Sequence, residues 1–167
     1  MYNILTIGDI KLDTFIVIPE GSVMCTLQMP ACQLCLDYGK KIPVQNITSQ
    51  IAGTASNVAI SIAKMKLKST IYSVMGLDET HAMALEFLKR NNVVTAHIKT
   101  EKDHPSSFAA VLNYKGETTQ LVSHSKMRYR LPKKLPTTQW MHISELGEDY
   151  EKLYKDVITE CKKKKIK

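Results

Sequence analysis

The hydrophobic period of this chain changes at Gly53, and that change limits what it can fold into. From there Ala55, Val58, Ala59, Ile62 and Ala63 recur at helical spacing. One face of a helix is therefore apolar, and its alanines let it lie close to a sheet. On either side the apolar residues run in short blocks instead, Ile4, Leu5 and Ile7 before it and Ser69 to Met75 after it. Blocks of that length, bounded by turn residues, read as buried strands. The switching then repeats. Glu79 to Arg90 predicts a second helix with Ala84, Leu85 and Leu88 inward and Lys89 and Arg90 at its C-terminal pole. Thr95 to Thr100 and Trp140 to Ser144 predict further strands. Glu148 to Lys164 predicts a third helix, whose inward face is Tyr150, Leu153, Tyr154, Val157, Ile158 and Cys161. Strands alternating with helices point to an α/β fold, a parallel sheet with right-handed crossovers.

Two stretches break this alternation. Ser106 to Tyr114 and Glu117 to His124 are β-rich and meet at Lys115-Gly116, the pattern of a hairpin with a two-residue turn. Asp13 to Ile18 is a β-branched and aromatic strand that Pro19 stops. With a short strand expected at Ile42 to Val44, these segments form a small antiparallel sheet, with lid segments at about 12–18, 41–46 and 106–124. Residues 20 to 40 read as irregular.

At 167 residues and 44% hydrophobic composition, the chain is expected to bury one sizeable core. No secretory signal is read at its start, because Tyr2 to Ile7 reads as a strand with neither a basic flank nor a cleavage site. No apolar run is long enough to span a bilayer. The formal charge is +7, but five lysines fall in the last six residues, leaving +2 for the rest. A basic end after a helix complements the macrodipole and carries no aromatic interleaving, so no nucleic-acid or membrane partner is expected. The four cysteines, at 25, 32, 35 and 161, are too few and too uneven for a disulfide framework, and a cytoplasmic location is expected. Cys32-x-x-Cys35 lacks a second ligand pair and reads as incidental. The histidines at 81, 97, 104, 124 and 142 show no metal or triad spacing.

The order of the remaining features is specific. Gly8-Asp9, then Asp13 four residues on, then Ala52-Gly53-Thr-Ala-Ser-Asn57 opening a small-residue helix, then Gly76-Leu77-Asp78, then the hairpin, together resemble the N-terminal half of ribokinase-like (PfkB-type) carbohydrate kinases. The resemblance runs through essentially the whole chain. It departs at Ala52, where the family usually has a second glycine, and at His81, where it has a later one.

By itself Asp13 is a turn residue opening a strand; the resemblance makes it the carboxylate that accepts hydrogen bonds from sugar hydroxyls. Gly53 would let backbone approach a ligand, and Asn57 would both donate to and accept from a hydroxyl. Substrate binding is thus assigned to Asp13, Gly53 and Asn57. Asp9 and Asp78 read as structural turn residues. Ser107 and Glu145 stand where they could point into a cleft at strand carboxyl ends.

The resemblance implies ATP-dependent phosphorylation of a sugar or nucleoside hydroxyl in the complete protein, with Mg2+, this chain supplying the acceptor-binding half and lid. No catalytic residue is expected in this chain, because the family's base lies on a Gly-Ala-Gly-Asp turn that the sequence does not contain. The chain therefore reads as incomplete and inactive alone, with a returning strand beginning at Ile166-Lys167. The alternative is a non-catalytic sugar-binding or interaction module derived from a kinase. A homodimer through the lids is expected, since a sheet standing off a core must place its apolar face somewhere.

Overall fold

The computed structural model describes residues 1–26, 31–132 and 134–167. In chain order the elements are β1 (Tyr2–Ile7), β2 (Lys11–Val17), β3 (Ser22–Met24), β4 (Gln33–Cys35), β5 (Asn46–Ala52), α1 (Thr54–Lys64) and β6 (Ser69–Gly76). They continue with α2 (Glu79–Arg90), β7 (Val94–Glu101), β8 (Ser107–Tyr114), β9 (Glu117–Ser123), β10 (Thr138–Ile143) and α3 (Glu151–Lys164). They fall into two compact units. The first holds Met1–Leu12, Ile51–Phe108 and Ser123–Lys167; the second holds Asp13–Gln50 and Ala109–Val122.

The first unit is built on a sheet of order β10-β1-β6-β7. Its pairs are parallel, with Ile4 opposite Trp140 and Ser69, and Tyr72 opposite His97. Every residue of β6 is buried, as a strand covered on both faces must be. On one face Leu5, Ile7, Tyr72 and Val74 pack with Leu153 and Val157 of α3 and with Met127 and Tyr129. On the other Ile71 and Met75 pack with Ala55, Ala59 and Ile60 of α1 and with Ala84 and Leu88 of α2. Leu153 and Val157 lose all exposure, and burying each contributes about 1.5–3 kcal/mol.

The helical faces differ in detail from the sequence pattern. In α1 the buried residues are Ala55, Ser56, Ala59 and Ile60 rather than Val58. Ser56 can turn inward because its hydroxyl donates to the Gly53 carbonyl at 2.7 Å, which removes the cost of burying it. In α3, Ile158 is exposed, and the helix starts at Glu151, not Glu148. After α3 the backbone returns to the sheet. The Lys167 N–H donates to the Gln139 carbonyl at 3.1 Å, and the Met141 N–H donates to the Lys167 carbonyl at 2.9 Å. Bonds to the two residues flanking Trp140 are the parallel-ladder pattern, so Lys167 lies as a parallel neighbour of β10.

The second unit carries a sheet of order β5-β2-β8-β9. The hairpin of β8 and β9 turns at Lys115 (φ 52) and Gly116 (φ 88), both left-handed as a type I′ turn requires. The expected strand at Ile42 to Val44 does not form; the strand begins at Asn46. Residues 20 to 40, expected to be irregular, hold β3 and β4, an antiparallel pair in which Ser22 faces Cys35. Cys25 and Cys32 flank this pair and are joined by a disulfide, while Cys35 and Cys161 are free thiols. The reading of Cys32 as incidental is thereby corrected. The antiparallel register sets Met24 opposite Gln33, so the next residues inward, Cys25 and Cys32, come within bonding reach with their Cα atoms 4.5 Å apart.

Among the described residues no helix is long and apolar enough to cross a membrane, and no group of three or more His, Cys, Asp or Glu is arranged to hold a metal ion.

Candidate functional site

Parallel strands put their carboxyl ends at one edge of the sheet. Here β1 is the point where the chain's direction of travel divides, toward β6 and β7 on one side and toward β10 on the other. Open α/β sheets bind ligands in the crevice at such a switch point. The residues that leave the two strands flanking the crevice are Gly8-Asp9 after β1 and Ser144-Glu145 after β10. Gly8 permits this approach, because a Cβ there would collide with the Ser144 hydroxyl and stand 2.8 Å from the Ala55 methyl.

A polar cluster fills that edge. The His124 ring lies between two carboxylates, Nδ1 at 3.2 Å from Asp9 and Nε2 at 3.2 Å from Glu145. The Lys11 ammonium is 3.9 Å from the other oxygen of Glu145. Asp9 is only 4% exposed. Its burial pushes the carboxyl above the usual carboxylate range, against the opposing pull of Ser107 and His124. Glu145, in contrast, keeps a side chain 58% exposed, so it remains open to a ligand. A carboxylate held at one oxygen by an imidazole and at the other by a cation is fixed in orientation, and its remaining lone pairs can accept hydrogen bonds from hydroxyl groups.

Asp78 does something different. Its side chain accepts the His81 N–H at 3.0 Å, capping α2, and also accepts the Ser106 N–H at 2.7 Å and the Ser106 hydroxyl at 2.8 Å. Burial pushes its pKa up, but these hydrogen bonds outweigh it and hold the group below the usual carboxylate value. Asp78 is structural, as its turn position implies. Asp9 is not merely a turn residue, because its carboxylate faces His124.

Gly53, the residue before α1, has φ 114 and ψ 138. A Cβ there would collide with the Asp9 carbonyl oxygen and stand 3.3 Å from the Ile10 Cα. The close approach that this glycine allows is that of the chain's own backbone. Asn57 sits one turn into α1 with its side chain exposed, while its N–H closes the first helical bond onto the Gly53 carbonyl at 3.0 Å. Asp13 is buried on β2 in the second unit.

His124 and Lys11 are the members that sequence reasoning missed. The signal for Lys11 was its spacing two residues before Asp13, which places both charges on one face of a strand. His124 had no such signal, since its partners are 115 and 21 residues away in sequence.

Residues 20–166 match the model of the pfkB family of carbohydrate kinases. The chain belongs to that family. Among solved structures it is similar to the ribokinase of Cryptococcus neoformans in complex with ADP, at 19% identity and a TM-score of 0.64, covering 86% of this chain and 40% of that one. It is similar to the Arabidopsis thaliana ribokinase solved with ribose and ATP, at 16% identity and a TM-score of 0.60, covering 74% and 36%. It is also similar to the nucleoside kinase of Methanocaldococcus jannaschii, at 15% identity and a TM-score of 0.65, covering 89% and 46%. The pfkB chain thus spans less than half the length of these structures. Among curated proteins, none matches its sequence.

Proposed function

We propose that the pfkB domain to which this chain belongs phosphorylates a hydroxyl of a sugar or nucleoside with ATP and Mg2+, and that this chain supplies the part that binds the acceptor. The observation that carries the reading is the carboxylate cluster at the switch point of a pfkB-family sheet. Acceptor hydroxyls need charged hydrogen-bond acceptors to orient them for in-line attack. Glu145, steadied by His124 and Lys11, is such an acceptor. Asp13, Gly53 and Asn57 are proposed as further acceptor contacts on the strength of their places in the family's motif order, Gly53 through its backbone.

No group in this chain is assigned as the base. The 167-residue chain alone is expected to be inactive, because the Gly-Ala-Gly-Asp turn that carries the family's base is not in its sequence. The test is Asp13→Asn in an enzyme containing a complete kinase domain. Loss of hydrogen bonds to a charged group weakens acceptor binding by about 1–3 kcal/mol, with the fold retained. Unchanged KM and kcat for every sugar phosphorylated would remove Asp13 from the site.

A further inference from the structure

A second feature of the first unit has no part in the acceptor reading. Residues 127 to 130 run extended with strict alternation: Met127 and Tyr129 are buried, while Arg128 and Arg130 are exposed on the opposite side. Facing them are Lys152 and Lys155, three residues apart on α3 and hence on one face of the helix. The four cations line one groove of about 580 Å3, together with Asp149 and Glu151.

Both walls are fixed. The buried Tyr72 hydroxyl donates to the Arg130 carbonyl at 2.6 Å and accepts the Arg130 N–H at 3.2 Å. The Arg128 backbone N–H donates to the Glu101 carboxylate at 3.1 Å, and the Gly147 backbone N–H donates to the Tyr129 hydroxyl at 2.9 Å. On the other wall Leu153 and Val157 anchor α3 in the core with no exposure.

The charges are not neutralised. Among the described residues, none of the four cations lies within ion-pairing distance of a carboxylate, although the adjacent Lys126 pairs with Glu148 at 2.6 Å. Four cations against the two carboxylates of the lining, and Glu101 bound to the Arg128 backbone behind it, leave the groove with one positive charge in excess. Holding like charges together on rigid walls is unfavourable unless an anion joins them. Guanidinium groups two residues apart on an extended segment are suited to fork onto separate phosphoryl groups. Among the described residues the one aromatic side chain lining the groove, Tyr129, is buried and hydrogen-bonded, and none of them offers a stacking platform for a base.

We propose that this groove binds a small ligand carrying at least two phosphoryl groups, recognised through its phosphates rather than through a base. The proposal is independent of the acceptor site.

The test is calorimetry of the 167-residue chain with inorganic tripolyphosphate at an ionic strength of about 0.05 M. Saturable binding to one site per chain is expected. The Arg128→Gln/Arg130→Gln double variant should weaken it at least about tenfold, as loss of charge-assisted bonds requires. Lys162→Gln/Lys163→Gln, in the basic terminus, should leave it unchanged. Circular dichroism checks that the exposed substitutions preserve the fold. Absence of saturable binding overturns the proposal, as does binding lost with the terminal lysines but kept without the arginines. A single-stranded oligonucleotide that displaces tripolyphosphate with higher affinity would overturn the assignment to a small ligand.

Discussion

Replacing Gly53 with alanine tests whether this glycine serves the chain's own packing. Two costs add. At φ 114 and ψ 138 the backbone lies where side-chain-bearing residues are rare, a strain of about 1–3 kcal/mol. The new methyl would also collide with the Asp9 carbonyl oxygen. That oxygen belongs to backbone packed beneath Ile10, which has no exposure, so it cannot swing aside as a flexible side chain would. Overpacking of that kind costs about 1–3 kcal/mol more. Together the destabilisation is about 2–6 kcal/mol, or a fall in Tm of roughly 4–24 °C for a chain of this size. Urea and thermal unfolding of Gly53→Ala beside the parent chain, with no sugar or nucleotide present, is the assay. A loss below about 1 kcal/mol would refute the packing argument and return Gly53 to a role seen only with ligand.

The remaining predictions rest on other groups. Asp78→Ala removes the cap of α2 and both bonds to Ser106, and should cost about 2–4 kcal/mol in chemical denaturation. Because the folded pKa of Asp78 is depressed below 3.8, its contribution is present above that pH and lost as pH falls through the folded value; the variant should show a flatter acid limb in Tm against pH. Asp9 has the opposite sign. Its folded pKa is raised above 3.8, so its favourable contribution is present below that pH and lost as pH rises through the folded value, and Asp9→Asn should flatten the decline measured on that side. Phe108, Leu121 and Val122 are exposed, and a dimer through the antiparallel strands is expected in sedimentation at tens of micromolar; a monomer there would end that idea. The 167-residue chain, mixed with ATP and a panel of pentoses, hexoses and nucleosides, should release no sugar-dependent ADP, and any such turnover would displace the base from the Gly-Ala-Gly-Asp turn.

What the sequence alone determined is what local periodicity carries. The 3.6-residue spacing of α1, α2 and α3, the apolar blocks of β1 and β6, and the left-handed pair Lys115-Gly116 each report a backbone state through residues close together in the chain. The order of glycines and aspartates was enough to mark the family, because backbone turns at strand ends demand those residue types. Only the tertiary structure decided which groups meet. His124 touches Asp9 and Glu145, and Arg130 is held by Tyr72, 58 residues earlier. Such contacts follow from the order of strands in the sheet, and no periodicity encodes it. Exposure was decided the same way: Leu153, Tyr154, Val157 and Cys161 of α3 meet the core, whereas Ile158, which the helical pattern also placed inward, is exposed. A side chain's burial depends on what packs opposite it, and that partner is named by the fold and not by its neighbours in sequence.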